Sequence, residues 1–304
     1  MRICLAVCLY EASDFYPTII ASITGQTLKA DEILIVDDGS SQSLAPLLEQ
    51  IPLARCITHE QNQGIGAARN SALQHCTADI LVFLDADALA SPDYLEQIIK
   101  PFSDEQVAGV NGQGVEVIQE SIYDWFRKAV LFQHWGATDR DSVPFLFGMT
   151  AAYRTAALLE VGGFDQRFQV SGEDMDVSYR LRTRGYRLVY RSGVTVKHQR
   201  RDTAKSIEKM VYRHCCWGFA AQRKNRCYEN KLSLAASGLV FITQLLRGVR
   251  TAQPGYSLLV VKLHLVIIRA WFSSAAVANQ LENNHQGEVV SPHNVWEGHQ
   301  KNAD

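Results

Sequence analysis

The chain has 304 residues, 47% of them hydrophobic, which is enough apolar material for a core of about 200 residues and an appended subdomain. This apolar content excludes disorder over most of the chain, and the near balance of 30 basic and 32 acidic residues gives no global attraction to nucleic acid. The seven cysteines are odd in number and lack a Cys-x-x-Cys spacing, which favours reduced thiols in a cytosolic protein.

Short apolar segments alternate with helical segments from the N-terminus onward. Strands are predicted at Ile3–Leu9 and at residues 32–36, 54–58 and 80–84, with helices between them at residues 16–26, 43–51 and 65–76. The first apolar segment is short and Glu11 follows it closely, which favours a strand over a signal peptide. This alternation predicts an α/β fold with parallel strands and right-handed crossovers.

The pattern changes after a predicted helix at residues 93–102. We expect extended chain at 107–118 and 145–153, a helix between them at 121–134, a helix at 171–184 with Ser171 as N-cap, and strands at 187–190 and 194–198. This half of the sheet is therefore predicted to be mixed rather than parallel.

Paired carboxylates follow two of the predicted strands, Asp37 and Asp38 after the second and Asp85 and Asp87 after the fourth. Ligands of parallel sheets bind beyond the carboxyl ends of the strands, so one ligand could contact both pairs. Neighbouring carboxylates repel unless a cation joins them, and their oxygens suit Mg²⁺ or Mn²⁺ held with substrate phosphates. The triplet that contains Asp85 and Asp87 is equally compatible with turn acids that cap the next helix.

Several short motifs follow one another along residues 1 to about 198. They are Tyr10 with Gln26-Thr27, Val36-Asp37-Asp38-Gly39-Ser40, Asn62-Gln63-Gly64, Ala67-Ala68-Arg69-Asn70, Asp85-Ala86-Asp87, Gly162-Gly163-Phe164-Asp165, and Gly172-Glu173-Asp174-Met175-Asp176 with Arg180 and Gly185. In this order and spacing the chain resembles the family 2 glycosyltransferases. The resemblance implies a GT-A fold, a Rossmann-like mixed sheet flanked by helices. It also implies metal-dependent, inverting sugar transfer from a nucleotide-sugar donor to a hydroxyl of a glycan or lipid-linked acceptor, as in cell-surface polysaccharide or glycoconjugate synthesis.

The resemblance also assigns the expected metal site. Asp87 would bind Mn²⁺ or Mg²⁺ directly, and Asp85 would face the ribose or the water shell of the metal. His198 stands where many of these enzymes place another ligand, although a histidine at the end of a strand is often structural.

The expected donor site includes Tyr10, Glu11, Asp38 and Arg69. Asp38 resembles the family's uracil-binding aspartate and Tyr10 the aromatic residue that packs on the base. A carboxylate accepts the N3 proton of uracil, which favours UDP or dTDP donors, with UDP preferred. Leu9 and Glu11 stand where family members commonly have threonine and asparagine, which leaves the base open. Arg69 could hold the diphosphate or the ribose, or could lie in solvent at the start of a helix.

Asp174 matches the family's catalytic base, with Glu173 beside it as the weaker candidate. An acceptor hydroxyl must lose its proton as it attacks, and a single base with direct displacement implies inversion. Both acids would also lie in the first turn of a predicted helix, so capping and the helix dipole explain them equally well.

The composition shifts after about residue 200. Residues 199–282 are predicted to form a helical subdomain, in which basic and aromatic residues precede apolar helical runs at 232–246 and 256–281. The second run contains Lys262, His264 and Arg269, which disfavours a membrane-spanning helix and favours one in a membrane interface or against a partner. An ordinary subdomain packed on the first domain fits as well. Residues 283–304 are expected to be a loose tail, and the protein to be cytoplasmic, with the inner face of the cytoplasmic membrane as a further location.

Other functional classes fit less well. The segment Gly64 to Arg69 resembles a dinucleotide-binding fingerprint, but Arg69 occupies the third glycine position and the first turn has no glycine run. A nucleotidyltransferase would need a glycine-rich basic loop after the first strand. A non-catalytic carbohydrate-binding or scaffold protein on a decayed transferase fold is the main alternative, and the presence of both acidic motifs disfavours it.

Overall fold

A computed structural model describes residues 1–227, 234–251 and 253–283. All but the first residue of the expected tail at 283–304 therefore lies outside the described residues. In the part described, eight strands form one sheet. They are β1 (Ile3–Leu9), β2 (Glu32–Asp37), β3 (Arg55–Thr58), β4 (Ile80–Phe83), β5 (Ala88–Ala90), β6 (Val107–Glu116), β7 (Ala151–Arg154) and β8 (Arg187–His198).

Helices cover the sheet and continue beyond it, and most of them match the predicted positions within a few residues. They are α1 (Tyr16–Thr24), α2 (Ala45–Leu48), α3 (Ile65–His75), α4 (Tyr94–Ile98), α5 (Ile122–Val130), α6 (Thr155–Glu160), α7 (Glu173–Thr183), α8 (Ala204–Lys224), α9 (Leu234–Arg250) and α10 (Pro254–Asn283). The two strands predicted at 187–190 and 194–198 are one continuous strand, and the helix predicted at 43–51 is a single turn. The sequence did not predict β5 or α6.

The sheet is mixed, as predicted, with the strand order β3-β2-β1-β4-β7-β6-β8-β5. Strands β1, β2, β3 and β4 run parallel. Strand β7 is antiparallel to both β4 and β6, β6 and β8 are parallel, and β5 is antiparallel to β8. Because Leu9 pairs with Asp37 and Ala6 with Phe83, the carboxyl ends of β1, β2 and β4 meet at one edge. The acidic motifs that follow β2 and β4 lie at this edge.

Both faces of the central strands are buried, which explains their continuous apolar sequences. Along β1, Leu5 and Val7 belong to the core on one face, whereas Cys4 and Ala6 belong to the core on the other. The period of two is the expected one for a strand. All seven cysteines are free thiols, in agreement with the prediction from their spacing.

The C-terminal helices share one apolar core with the sheet. Side chains such as Phe83 of β4, Ile207 of α8 and Leu263 of α10 belong to the same buried cluster. The predicted boundary at residue 198 therefore does not divide two separate cores. By length and composition α10 could cross a membrane, and 33% of its apolar stretch is buried inside the protein.

The helix that carries Glu173 and Asp174 begins differently from the prediction. Its N-cap is Gly172, with φ 89°, and no side chain caps it, so the prediction of Ser171 was wrong. A Cβ at Gly172 would lie 2.9 Å from the carbonyl oxygen of Trp217. The left-handed backbone and the close approach of α8 both require glycine at this position.

Candidate active site

A cleft of about 320 Å³ lies at the carboxyl edge of the sheet, where β1 and β4 end. An adjoining cavity of about 280 Å³ has aromatic walls that include Phe132, Trp135 and Phe147. Asp85, Asp87, Asp174 and Arg213 contribute to the walls of both spaces. Predicted site residues that are far apart in the chain thus meet around one opening. The residues that line the cleft are Tyr10, Glu11, Arg69, Asp85, Asp87, Glu173, Asp174, Arg213 and His214, with neutral neighbours between them.

Asp87 and His198 are brought together by β5, whose Ala88 pairs with His198 on β8. The Oδ2 of Asp87 lies 3.1 Å from Nε2 of His198, and Nδ1 of His198 lies 2.8 Å from Oε1 of Glu116. Burial alone would lower the pKa of His198, but its hydrogen bonds to both carboxylates raise that pKa to about 9. Burial would raise the pKa of Asp87, but the hydrogen bond and charge of His198 outweigh it and lower that pKa.

The donor set of this pair suits a divalent cation, since a carboxylate oxygen and an imidazole nitrogen both bind Mn²⁺. The 3.1 Å contact between Asp87 Oδ2 and His198 Nε2 is a hydrogen bond, so a cation bound here would take the place of the proton on Nε2. Glu116 fixes the ring through Nδ1, as an outer-shell partner of a metal-binding histidine does. A second group of ligand-type side chains, Cys4, Glu32 and Cys76, lies near the other end of β1 and β2 and belongs to no part of the cleft.

Arg69 is buried beneath the cleft, so its alternative placement in solvent was wrong. Its Nη1 donates to Oε1 of Glu173 at 2.6 Å, and its Nη2 contacts Oδ1 of Asp85 at 3.4 Å. The guanidinium also lies 5.5 Å from the ring centre of Phe83. Burial raises the pKa of Glu173 to about 7, although the charge of Arg69 opposes the shift. Glu173 is thus held in a buried ion pair with Arg69.

Replacing Arg69 with methionine should destabilise the protein by about 3–5 kcal/mol, because Glu173 would lose the partner of its buried ion pair and could stay buried only by taking up a proton. Chemical denaturation at neutral pH measures this change. The matched control is Arg184→Met, which removes the exposed ion pair of Arg184 with Glu160 and should cost no more than about 1 kcal/mol. Equal losses in the two variants would contradict the structural role of Arg69.

Asp174 remains open to the cleft. Its Oδ2 accepts from the backbone N–H of Gly148 and its Oδ1 from that of Met175, each at 2.8 Å. A carboxylate has about four acceptor positions, so two remain for a substrate. Burial raises the pKa of Asp174, while Arg69 and the backbone donors oppose the shift. Gly148 is required at its position because a Cβ there would lie 2.5 Å from Nη2 of Arg69.

Tyr10 and Glu11 form the rim of the cleft beyond β1. The Tyr10 ring is half exposed, so a flat ligand could pack on it. Glu11 has a positive φ of 48°, and its carboxylate accepts from the backbone and hydroxyl of Ser41 at 2.9 and 3.0 Å. Glu11 therefore ties the Tyr10 segment to the loop that follows β2. The predicted role of both residues in donor binding stays a prediction.

Asp38 lies beside the cleft rather than in its wall. Its carboxylate accepts from the N–H groups of Gln63 and Gly64, at 2.9 and 2.8 Å, and contacts Nδ1 of His59 at 2.7 Å. These contacts hold the loop that leads into α3. Base recognition by Asp38 stays a prediction, and it would use an acceptor position that these three contacts leave free.

Some residues of the site were missed by the sequence analysis. Arg213 and His214 of α8 line the cleft, although the sequence placed Arg213 in a basic cluster directed at a membrane or partner. The Arg213 Nε is buried without a hydrogen-bond partner among the described residues. Burial, and then the charge of Arg200, lower the pKa of Arg213. An anion entering the cleft would supply the missing partner.

Glu116 and Arg127 were also missed. Arg127 is fully buried, with its Nε 2.8 Å from Oε2 of Glu116 and its Nη2 2.6 Å from the carbonyl of Arg200. It also pairs with Asp202. Through Glu116 this network holds His198 in place, but no motif or spacing in the sequence marks it.

The fold defines the class of protein. The mixed sheet, its helices and the cleft at the carboxyl ends of the parallel strands form a GT-A fold, which a solved mannosyltransferase from Pyrobaculum calidifontis shares. That structure, in complex with GDP-Man and Mn²⁺, has a TM-score of 0.62 and 20% identity, and the alignment covers 94% of this chain and 88% of that one.

The chain belongs to glycosyl transferase family 2, whose model matches residues 4–162. A pre-mycofactocin glycosyltransferase of Mycobacterium tuberculosis is 27% identical over 253 residues, which are 77% of this chain and 51% of that protein. A glucosyl-dolichyl phosphate glucuronosyltransferase of Haloferax volcanii is 23% identical over 252 residues, 75% of this chain and 79% of that protein. The chain thus spans about half the length of the first relative and most of the second.

Proposed function

We propose that the protein is a metal-dependent, inverting glycosyltransferase that moves a sugar from a nucleotide-sugar donor to a hydroxyl group of a glycan or lipid-linked acceptor. One observation supports the proposal above all: two kinds of acidic site share the walls of one opening. Asp85 and Asp87, with His198 beside Asp87, form the first, and Asp174 forms the second. The first set suits a metal and a diphosphate, and the second suits a base.

The donor side would act through charge. A bound Mn²⁺ or Mg²⁺ would neutralise the negative charge that develops on the diphosphate as the sugar bond breaks. Asp87 and His198 would hold the ion, with Asp85 toward the ribose or the metal's water shell. The positive charge of Arg69 lies 3.4 Å from the Asp85 carboxylate and reduces the repulsion between Asp85 and the neighbouring acidic side chains.

The acceptor side would act through Asp174. Its carboxylate would take the proton from the attacking hydroxyl, and direct displacement at the anomeric carbon would invert its configuration. The aromatic cavity that adjoins Asp174 provides flat apolar surfaces on which sugar rings can pack. Glu173, which is bound to Arg69, is the weaker candidate for the base.

UDP is the preferred donor nucleotide on the basis of Tyr10 and Asp38. The solved mannosyltransferase with the same fold contains GDP-Man, so both bases belong in any test of donor choice. A lipid-linked acceptor is supported by the name of the Haloferax volcanii relative, which describes transfer to glucosyl-dolichyl phosphate. Such an acceptor would require the enzyme to work at a membrane surface.

Arg213 is expected to contact the donor diphosphate. The variant Arg213→Met should weaken binding of UDP in the presence of Mn²⁺ by about tenfold or more, because a charge-assisted hydrogen bond would be lost. Calorimetric titration measures the change. The control is Lys209→Met, which removes an exposed positive charge from the same helix and should leave the affinity unchanged. Equal affinities in the wild type and in Arg213→Met would remove Arg213 from the donor site.

The whole proposal is tested by thermal-shift screening of UDP-, GDP- and dTDP-sugars with and without Mn²⁺. We expect one nucleotide class to raise the melting temperature, and only when Mn²⁺ is present. The stabilising donor should then be hydrolysed slowly in the absence of acceptor. Binding without hydrolysis or transfer would favour the non-catalytic scaffold, and failure of every nucleotide to bind would reject the donor site.

A further inference from the structure

Exposed apolar side chains are concentrated on the last two helices. Of 14 large hydrophobic residues that are exposed in the described chain, eight lie on α9 and α10. Those on α9 are Leu239, Ile242, Leu246 and Val249, and those on α10 are Leu258, Val261, Leu265 and Phe272. Scattered surface hydrophobic residues are normal, but such a concentration marks an interaction surface.

Each set forms one row along its helix. With about 100° of rotation per residue, the four residues of α9 fall within an arc of about 80°, and the four of α10 within about 60°. The opposite side of α10 is buried, with Leu259, Leu263 and Ala270 in the core shared with α8. On α9, Phe241 and Leu245 are partly buried against the same core, so both rows are outward faces of packed helices.

The two rows face the same side. Phe241 stacks on His264 at 4.4 Å, Gln244 accepts from the hydroxyl of Tyr256 at 2.7 Å, and Gly248 lies against Ser257. This order of contacts makes the two helices antiparallel. When each helix is viewed along its own chain direction, its apolar row lies about 110–150° round the helix axis from the residues that contact the other helix. Because the helices run in opposite directions, the same rotation turns both rows to one side of the hairpin.

Basic residues border these rows. Arg250 of α9, and Lys262 and Arg269 of α10, fall within about 20–40° of the first residue of each row, on the same edge. Arg247 lies about 80° round from its row and lines a separate cavity with Trp125 and Tyr256. From residue 238 to residue 282 the only acidic residue is Glu282. The surface thus combines an apolar centre with a cationic border, the combination that suits an anionic lipid surface.

We propose that the hairpin of α9 and α10 lies in the plane of an anionic membrane, with its two apolar rows in the head-group region and the exposed Arg250 and Arg269 on the lipid phosphates. Membrane binding of this kind does not depend on the transferase reaction, and α10 lies on the membrane rather than across it. Lys262 of α10 pairs with Glu208 of α8 at 2.6 Å, and Ser274 of α10 accepts from Arg223 of α8 at 3.0 Å. A spanning α10 would draw these charged groups of α8 into hydrocarbon.

A second copy of the chain fits this surface less well. Two copies that met through these rows would bring their arginine borders together with no acidic residue of either hairpin except Glu282 to pair with them. Lipid phosphates supply the opposite charge instead. We therefore assign the surface to lipid and treat self-association as an outcome of the test.

The test is co-sedimentation of the full chain with vesicles of phosphatidylcholine alone or with one third phosphatidylglycerol. We expect binding to the anionic vesicles and release by alkaline carbonate. The double variant Leu246→Glu with Leu265→Glu should lose at least about tenfold in vesicle affinity. The matched control, Leu53→Glu with Leu159→Glu, adds the same charges at exposed leucines outside the hairpin and should bind as the wild type does. Arg250→Gln should cost about fivefold on anionic vesicles, whereas Arg247→Gln, whose side chain lines the cavity beside Trp125, should cost less.

Folding of each variant is checked by circular dichroism and by its melting temperature. Failure of the wild type to bind either vesicle would overturn the proposal, as would equal binding by the two leucine double variants. Resistance to carbonate would show a spanning helix and would also overturn it. A wild-type dimer in detergent-free solution, converted to monomer by the Leu246 and Leu265 changes, would assign the surface to a second copy instead.

Discussion

Asp174→Asn should lower the rate of sugar transfer by about 10²- to 10⁴-fold while UDP binding in the presence of Mn²⁺ remains. The amide keeps the shape of the side chain but cannot accept the proton of the acceptor hydroxyl. Single-turnover kinetics would measure the rate, and calorimetry the affinity. One oxygen that now accepts a backbone N–H, from Gly148 or Met175, would become an NH₂ group, so the melting temperature should fall slightly.

The companion variant Glu173→Gln separates the two acids. It should disturb the packing of Arg69 and lower stability, yet keep a measurable transfer rate, because Glu173 is bound to Arg69 rather than open to the cleft. Near-normal turnover in Asp174→Asn would end the assignment of the base. If Glu173→Gln were then the inactive variant, the role would pass to Glu173.

The pH dependence gives a second check on the same residue. A base must be ionised, so transfer should fall as the pH drops through the pKa of Asp174. Burial raises this pKa above that of an ordinary aspartate, and Arg69 holds it lower than burial alone would. The acidic limb of the kcat profile should therefore lie above the usual aspartate range and move to higher pH in Arg69→Met. A limb that stays in place in Arg69→Met would contradict this account.

Asp87→Ala should weaken Mn²⁺-dependent donor binding by about a hundredfold or more, because the loss of a direct ligand removes most of the electrostatic contribution of the metal. Titration of UDP at a fixed Mn²⁺ concentration measures the effect, and chelation of the metal in the wild type should reproduce it. Transfer should be lost together with binding, unlike in Asp174→Asn.

Asp141→Ala serves as the control, since Asp141 is an acid 80% exposed that pairs with Arg191 outside the cleft. It should leave both donor binding and transfer unchanged. An Asp87→Ala variant whose UDP titration matched the wild type would remove Asp87 from the metal site and would leave the capping interpretation of the triplet.

The sequence by itself determined the fold class and the edge of the sheet at which the site lies. The alternation of apolar strands and helices is a local pattern, and parallel strands bring their carboxyl ends together, so acids that follow β2 and β4 had to converge. Only the tertiary structure decided how the side chains are paired. The three-residue strand β5 is too short to show a period, yet its register with β8 sets Asp87 against His198. Arg69 meets Glu173 across 104 residues, and Arg213 enters the cleft from a helix that no shared motif covers. Contacts of this kind depend on how distant segments pack, which neither local periodicity nor motif spacing encodes.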